Sequence, residues 1–425
     1  VLALQRRCWH DPINHGLADR DPAVFMPAFI IFLIGYVLSQ FYRSFLAVIA
    51  PELSAELHLT PQDLGNILAC WFAAFAVVQF PVGAALDKHG PRRTLAALAL
   101  AGVAGAIVFA TAHSAHQAMV AMALIGVGSS GALMGALFTF ARTAPPHRFA
   151  MLSSLIIGLG GFGNLLGGTP LALAAQSFGW RSVFFGLAAI ALLEALLVML
   201  VIKDAKRIES PAQADDGSIL HGLRDLVRLR SLWLLWPLMT VSYGVLITER
   251  GLWVGPYLSE VHGLDPIPRG NVIFIMAIAI ALGALAYGPL ETYLRRRKPL
   301  VLAGSLVAGA CLLALAWLPA PTLLVCTILL SAFGFAGMTY GPLMAHVRLF
   351  LPDRLLGRGM TFANFLCMAG AGLLQVWSGS AVAQLKSGGT PLAEVYAAVH
   401  LALAAILIGG ALIYAFSHED PGRSR

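Results

Sequence analysis

Long runs of apolar side chains recur along the entire chain, and they leave few folds open to it. A helix needs about 20 apolar residues to cross the hydrocarbon core of a bilayer. Twelve such runs can be drawn, at 26–50, 65–86, 94–112, 116–141, 150–174, 182–202, 232–258, 270–290, 299–318, 322–345, 359–385 and 393–416. In lipid every backbone amide and carbonyl must find its partner within the protein, so these runs are predicted to be helices. Only 12% of the residues are charged and 58% are apolar, against about 25% and roughly 45–50% in soluble domains. That balance excludes a disordered chain, a coiled coil and an ordinary soluble enzyme. The predicted fold is an all-α polytopic membrane protein with twelve transmembrane helices. No cleavable leader is expected, because the first apolar run continues to spanning length.

Charge sets the orientation. The net charge of +7 is carried in short basic runs between apolar segments, a pattern suited to a membrane surface rather than to nucleic acid. Of the 28 lysines and arginines, Arg181, Arg269 and Lys386 fall in one set of loops, and Arg43 and Arg250 lie within spans. All the others fall in the opposite loops or the tails. Both termini and the central loop are therefore predicted to be cytoplasmic, in a multi-pass protein of the plasma (inner) membrane. Cys70, Cys311, Cys326 and Cys367 lie inside apolar runs and read as packing residues. The five cysteines show no disulfide or zinc spacing, and neither a metal nor a cofactor is expected.

The divisions are a tail over 1–25, six spans over 26–202, a polar loop over 203–231, six spans over 232–416, and a tail over 417–425. The loop begins as a flexible linker; its 219–229 stretch fits either an interfacial helix or a solvated connector. The halves repeat each other. At an offset of 205, Pro51, Leu53, Ser54, Leu59, Pro61, Gly65 and Asn66 return as Pro256, Leu258, Ser259, Leu264, Pro266, Gly270 and Asn271. At 206, Gly128, Gly131, Gly135, Leu137, Arg142, Pro146 and Arg148 return as Gly334, Gly337, Gly341, Leu343, Arg348, Pro352 and Arg354. Six helices separate the copies, so both halves enter the membrane in one sense, as in paired bundles that rock about a shared site.

Between the second and third spans the chain reads Gly83-Ala-Ala-Leu-Asp87-Lys88-His-Gly90-Pro-Arg92-Arg93. Gly83 would allow close helix approach and Gly90 a turn at positive φ. Asp87 can cap a helix or pair with an arginine, while Lys88, Arg92 and Arg93 hold the loop at the membrane face. This segment resembles the signature of the major facilitator superfamily, and the resemblance extends over about residues 25–416. It implies two pseudo-symmetric six-helix bundles and a gating role for the loop. The corresponding loop of the second half keeps Glu291 and Arg295, Arg296 and Arg297 but lacks the second glycine.

A charge at mid-membrane costs about 2.5–3.5 kcal/mol. Arg43 follows Gln40 and Tyr42 in the first span; the resemblance implies that helices one and seven line a central cavity. Its guanidinium offers a planar fork to a carboxylate, or else snorkels outward or pairs with Glu52 or Glu249. Glu249 and Arg250 are about 100° apart on a helix and cannot both face one cavity squarely. Glu249 would carry a coupling proton or, the favoured reading, pair with Arg43 or Arg250. Glu194 and His400 lie on helices that the resemblance places outside the cavity, and both read as structural. Asn164, in the glycine-rich fifth span, and Gln375 are candidate hydrogen-bonding partners of a substrate. That fifth span loosely resembles an antiporter signature without its proline. It is also similar to nitrate and nitrite porters, whose arginines in helices two and eight have no counterpart in 65–86 or 270–290.

The function expected is secondary active transport of a small solute, an organic anion by preference, with a proton as a possible co-substrate. No nucleotide-binding loop occurs. Efflux of amphipathic compounds is the second reading; a sensor or a membrane enzyme is remote, since no zinc motif or nucleophile elbow is present. The expected partners are the substrate and the bilayer, and the expected state is a monomer.

Overall fold

The computed structural model describes residues 22–143, 146–202, 226, 228–318, 320–352 and 355–419. Most of both tails and of the 203–231 loop, including most of 219–229, lies outside the described residues.

Among the described residues twelve crossings follow one another. They are α1 (Pro22–Phe41 and Leu46–Leu57), α2 and α3 (together Pro61–Ala110), α4 (Ala115–Ser129 and Ala132–Thr143), and α5 (Pro146–Gly160, Phe162–Leu166 and Thr169–Phe178). After α6 (Trp180–Val201) the second half begins with α7 (Trp236–Thr248, a π-helical turn at Glu249–Trp253, then Val254–Glu260). It continues with α8 (Pro266–Leu294), α9 (Arg297–Trp317), α10 (Leu323–Ala336 and Tyr340–Leu349), α11 (Leu356–Ser387) and α12 (Leu392–Ala415).

Pro61–Ala110 counts twice. Its 50 residues would make a rod of about 75 Å if straight, far beyond the hydrocarbon core of about 30 Å. Gly90, at φ 80°, breaks it, and the Thr94 hydroxyl donates to the Ala85 carbonyl at 3.1 Å. Nine residues of unbroken helix would hold those groups about 13 Å apart, so the chain has turned back. The equivalent position in the second half, 205 residues on, is Arg295, which takes φ 52° without being glycine.

Several crossings are interrupted where the sequence suggested continuous helices. Breaks fall at 42–45 in α1, at 130–131 in α4, in the π turn of α7 and at 337–339 in α10. They pair by the repeat: Gly131 and Gly337 are one of the 206-offset matches, and the first break, moved by 205 to 247–250, overlaps the start of the π turn. Helix α2 starts with a reciprocal cap, Thr60 N–H donating to Asp63 Oδ2 at 2.9 Å and Asp63 N–H to Thr60 Oγ1 at 3.2 Å. Large apolar side chains such as Leu200, Leu285 and Trp317 stand exposed, as suits a surface whose solvent is lipid.

Glycines mark where the halves touch. The loops after α2, α4, α8 and α10 define a basic end, with Lys88, Arg148, Arg296 and Arg348. At the other end, a Cβ on Gly255 of α7 would overlap the Ala47 carbonyl of α1, and one on Gly65 of α2 the Gln375 carbonyl of α11. A Cβ on Gly270 of α8 would lie 2.8 Å from Ala172 of α5. Gly83, Gly288, Gly341 and Gly357, on the basic-end parts of α2, α8, α10 and α11, would meet nothing within 4 Å. The close approach expected of Gly83 is therefore absent in this conformation. The buried core agrees. A large apolar cluster runs through both halves, whereas a second, around Phe32, Leu86, Phe140 and Ile156, belongs to the first half alone.

Candidate functional site

Two arginines cross the seam in opposite directions. Arg43, in the break of α1, donates from Nη1 to the Tyr243 hydroxyl of α7 at 3.2 Å. Its guanidinium carbon lies 5.1 Å from the ring centroids of both Trp71 and Phe75 of α2. Arg250, in the π turn of α7, donates to Asn164 of α5 twice, to Oδ1 at 2.9 Å and to the carbonyl at 2.8 Å. Both arginines are buried, each keeps an Nε–H without a partner, and neither is bonded to a carboxylate.

Aromatic faces and neutral oxygens offset only part of the burial cost, each cation–π contact supplying about 0.5–2 kcal/mol. Two buried positive charges in the seam attract an anion with less competing hydration than at the surface. The Tyr340 ring lies 5.8 Å from that of Tyr243, and its hydroxyl donates to Asn364 at 3.0 Å. These tyrosines extend a polar strip along the second half.

Glu249 is directed elsewhere. The π turn changes the pitch, sending Arg250 across the seam while Glu249 faces back into its own bundle. There Glu249 Oε1 lies 3.1 Å from His400 Nε2 of α12, with both residues fully buried. The ion pair with Arg43 or Arg250 favoured by the sequence is replaced by this contact with His400. His400 is correspondingly more engaged than its position on an outer helix suggested.

The other candidates divide. Gln375 is fully buried in α11, with neither its amide nor its carbonyl oxygen bonded. Gln40 is half-buried beside Gly163 of α5. Tyr42 points away from the seam, its hydroxyl buried and unbonded, into a cavity within the first bundle. In the basic loop, Lys88, Arg92 and Arg93 are exposed, and Asp87 and Arg92 are both engaged in contacts. Arg297 pairs with Glu291 at 2.5 Å in the corresponding loop.

One cross-seam contact escaped the sequence reading, which put Arg269 in a loop. Helix α8 begins earlier, at Pro266, and takes Arg269 into its first turn. Arg269 is almost fully buried and donates to Glu52 of α1 at 2.5 Å and to the Val48 carbonyl at 2.8 Å. Nearby the Thr169 hydroxyl donates to Asn271 at 2.8 Å. The eighth helix thus does hold an arginine, in its first turn, while the second still holds none between Pro61 and Gly90, so half of the objection to a nitrate-porter likeness stands. Tyr243 was accessible in principle: it precedes Arg250 by seven residues, two turns along the same face.

Comparison with known proteins places these features in a family. Residues 32–374 match the family model described as Major Facilitator Superfamily. A probable sulfoacetate transporter of Cupriavidus necator is 24% identical over 241 residues, 54% of this chain and 56% of that one. The chain thus spans little more than half the length of that relative. A tetracenomycin C resistance and export protein of Streptomyces glaucescens is 24% identical over 95% of this chain and 76% of its own length. A hexuronate transporter of Bacillus subtilis is 22% identical, covering 80% and 84% respectively. Among solved structures, a bacterial homologue of the human lysosomal transporter Spinster superposes with a TM-score of 0.75 at 17% identity, over 94% of this chain and 98% of that one. With the family model matched over most of its length and the twelve-helix architecture in place, the chain belongs to the major facilitator superfamily.

Proposed function

We propose that this protein is a secondary active transporter that moves a small organic anion by alternating access. The observation that carries the reading is the pair of seam arginines. Arg43 and Arg250 bring two positive charges between the halves, and the partners they find there are neutral. A carboxylate or sulfonate would neutralise them, and each planar fork can grip such a group bidentately. The names of the sulfoacetate and hexuronate relatives support the same substrate class. The asymmetry of basic residues supports placing the basic end and both termini in the cytoplasm, so that the conformation described is closed outward and open inward.

Counterflow in proteoliposomes tests the proposal. Labelled hexuronates and short sulfonates are expected to exchange in the wild type, with exchange reduced in Arg43→Lys. Export of amphipathic compounds is the second reading, supported by the export protein that aligns along 95% of the chain. Dye efflux without exchange of any tested anion would reverse the order.

A further inference from the structure

The second repeat offset, 206, carries Glu194 of α6 onto His400 of α12. Each half therefore sets a titratable side chain of its sixth helix behind the break in its first. In the second half His400 meets Glu249. In the first half, the cavity around Glu194 is lined by no lysine, arginine or histidine among the described residues.

A space has been left for its carboxyl. A Cβ on Gly35 of α1 would collide with Glu194 Oε1, so glycine is what admits the acid. Around it lies a cavity between α1, α3, α4 and α6, lined among others by Gly35, Ser39, Tyr42, Gly102, Ser129 and Glu194. Its volume is about 40 Å³, room for two or three waters. The Ser39 and Tyr42 hydroxyls line it, almost fully buried and without a hydrogen-bond partner.

The neighbours can be surveyed helix by helix. Helix α1 contributes Tyr42 as the one titratable group in the lining; the lining residues of α3 and α4 are apolar or small apart from Ser129. Arg43 follows Tyr42, but its guanidinium is held by Trp71, Phe75 and Tyr243 on the other side. An ionised carboxylate here would be an uncompensated charge within the membrane. One carboxyl and three hydroxyls supply five fixed oxygens, short of the six or more that hard metal cations take unless water completes the shell. A proton needs only one.

We infer that Glu194 is a proton-binding site of the first half, exchanging its proton through the cavity and linked through Tyr42 to Arg43. Protonated, the carboxyl donates one hydrogen bond; ionised, it can only accept, and the Ser39 and Tyr42 hydroxyls, unbonded in this conformation, are donors lining the same cavity. Tyr42 lies in the break next to Arg43, so the proton alters the pull on the segment that presents the guanidinium to the seam. This link to Arg43 rests on the transport reading, whereas the protonation does not.

Infrared difference spectra of the purified protein, low against high pH, test the site without any substrate. A protonated-carboxyl band is expected that Glu194→Gln removes, that Glu249→Gln leaves, and that is unmoved when NaCl replaces KCl. A band that survives Glu194→Gln, or that sodium abolishes at constant pH, overturns the assignment. If Glu194→Gln does not fold, a hydrophobic carbodiimide on the wild type decides. Glu194 is expected to be modified, less so as pH rises, and an unmodified Glu194 overturns the proposal. For the link, an exchanged anion is expected to bind Glu194→Gln with pH-independent affinity; full wild-type pH dependence would sink the link alone. Failure of the anion reading would leave the spectra unaffected.

Discussion

At the scale of single residues, the seam rests on guanidinium chemistry that lysine cannot copy. Lysine in place of Arg43 keeps the charge but loses the planar stack over Trp71 and Phe75 and the fork for a carboxylate. Arg43→Lys is expected to fold and to bind the anion about tenfold more weakly, or ~1.4 kcal/mol; unchanged affinity in a binding titration would make Arg43 a scaffold residue. Asn164→Ala removes one of two acceptors from the buried Arg250. An unsatisfied buried donor costs about 1–3 kcal/mol, so thermal unfolding in detergent should occur at a lower temperature, even without substrate. The charges at 43, 249 and 250 were legible because they interrupt apolar sequence. Their partners were not, since Asn164, Tyr243 and His400 are brought to them by helix packing between segments 86 to 200 residues apart.

At the scale of elements, glycines separate contacts made in this conformation from contacts reserved for the other. Gly255 sits against the Ala47 carbonyl, and a methyl there has nowhere to go because the obstacle is backbone. Gly255→Ala is expected to lower the unfolding temperature. Gly83→Leu enters open space and should unfold like the wild type, yet lose counterflow, because closing the basic end brings α2 toward the second half. A Gly83→Leu protein with full transport would show that α2 stays clear of the seam in both states. The sequence made the helices legible through apolar length and Gly90 through its turn chemistry. The breaks at 42–45 and in the π turn were hidden, because a transmembrane helix and a broken one share the same composition. Only the repeat offset hinted that the two breaks correspond.

At the scale of the whole molecule, duplication gives two similar bundles, and asymmetric contacts between them select which end is shut. Glu52 and Arg269 form the charged part of that closure, with Thr169 and Asn271 beside them. Neither charge belonged to any motif, and Arg269 was placed outside its helix, so this contact could not be read before the bundles were packed. Arg269 is almost fully buried and Glu52 is 39% exposed. Breaking the pair therefore costs less than the roughly 3–5 kcal/mol of a fully buried one, but more than the ~0–1 kcal/mol of a surface pair. An intermediate loss of about 1–3 kcal/mol would shift the balance between states roughly five- to more than a hundredfold. Glu52→Gln should therefore populate the conformation open at the far end. Spin labels at Ala55 and Asp265 there, and at Lys88 and Arg348 on the basic end, in a cysteine-free background, can follow both ends together. If the bundles rock as rigid bodies, the first distance lengthens while the second shortens. Lengthening of the first alone would mean that α1 and α8 merely fray, and the two six-helix units would not be the moving parts.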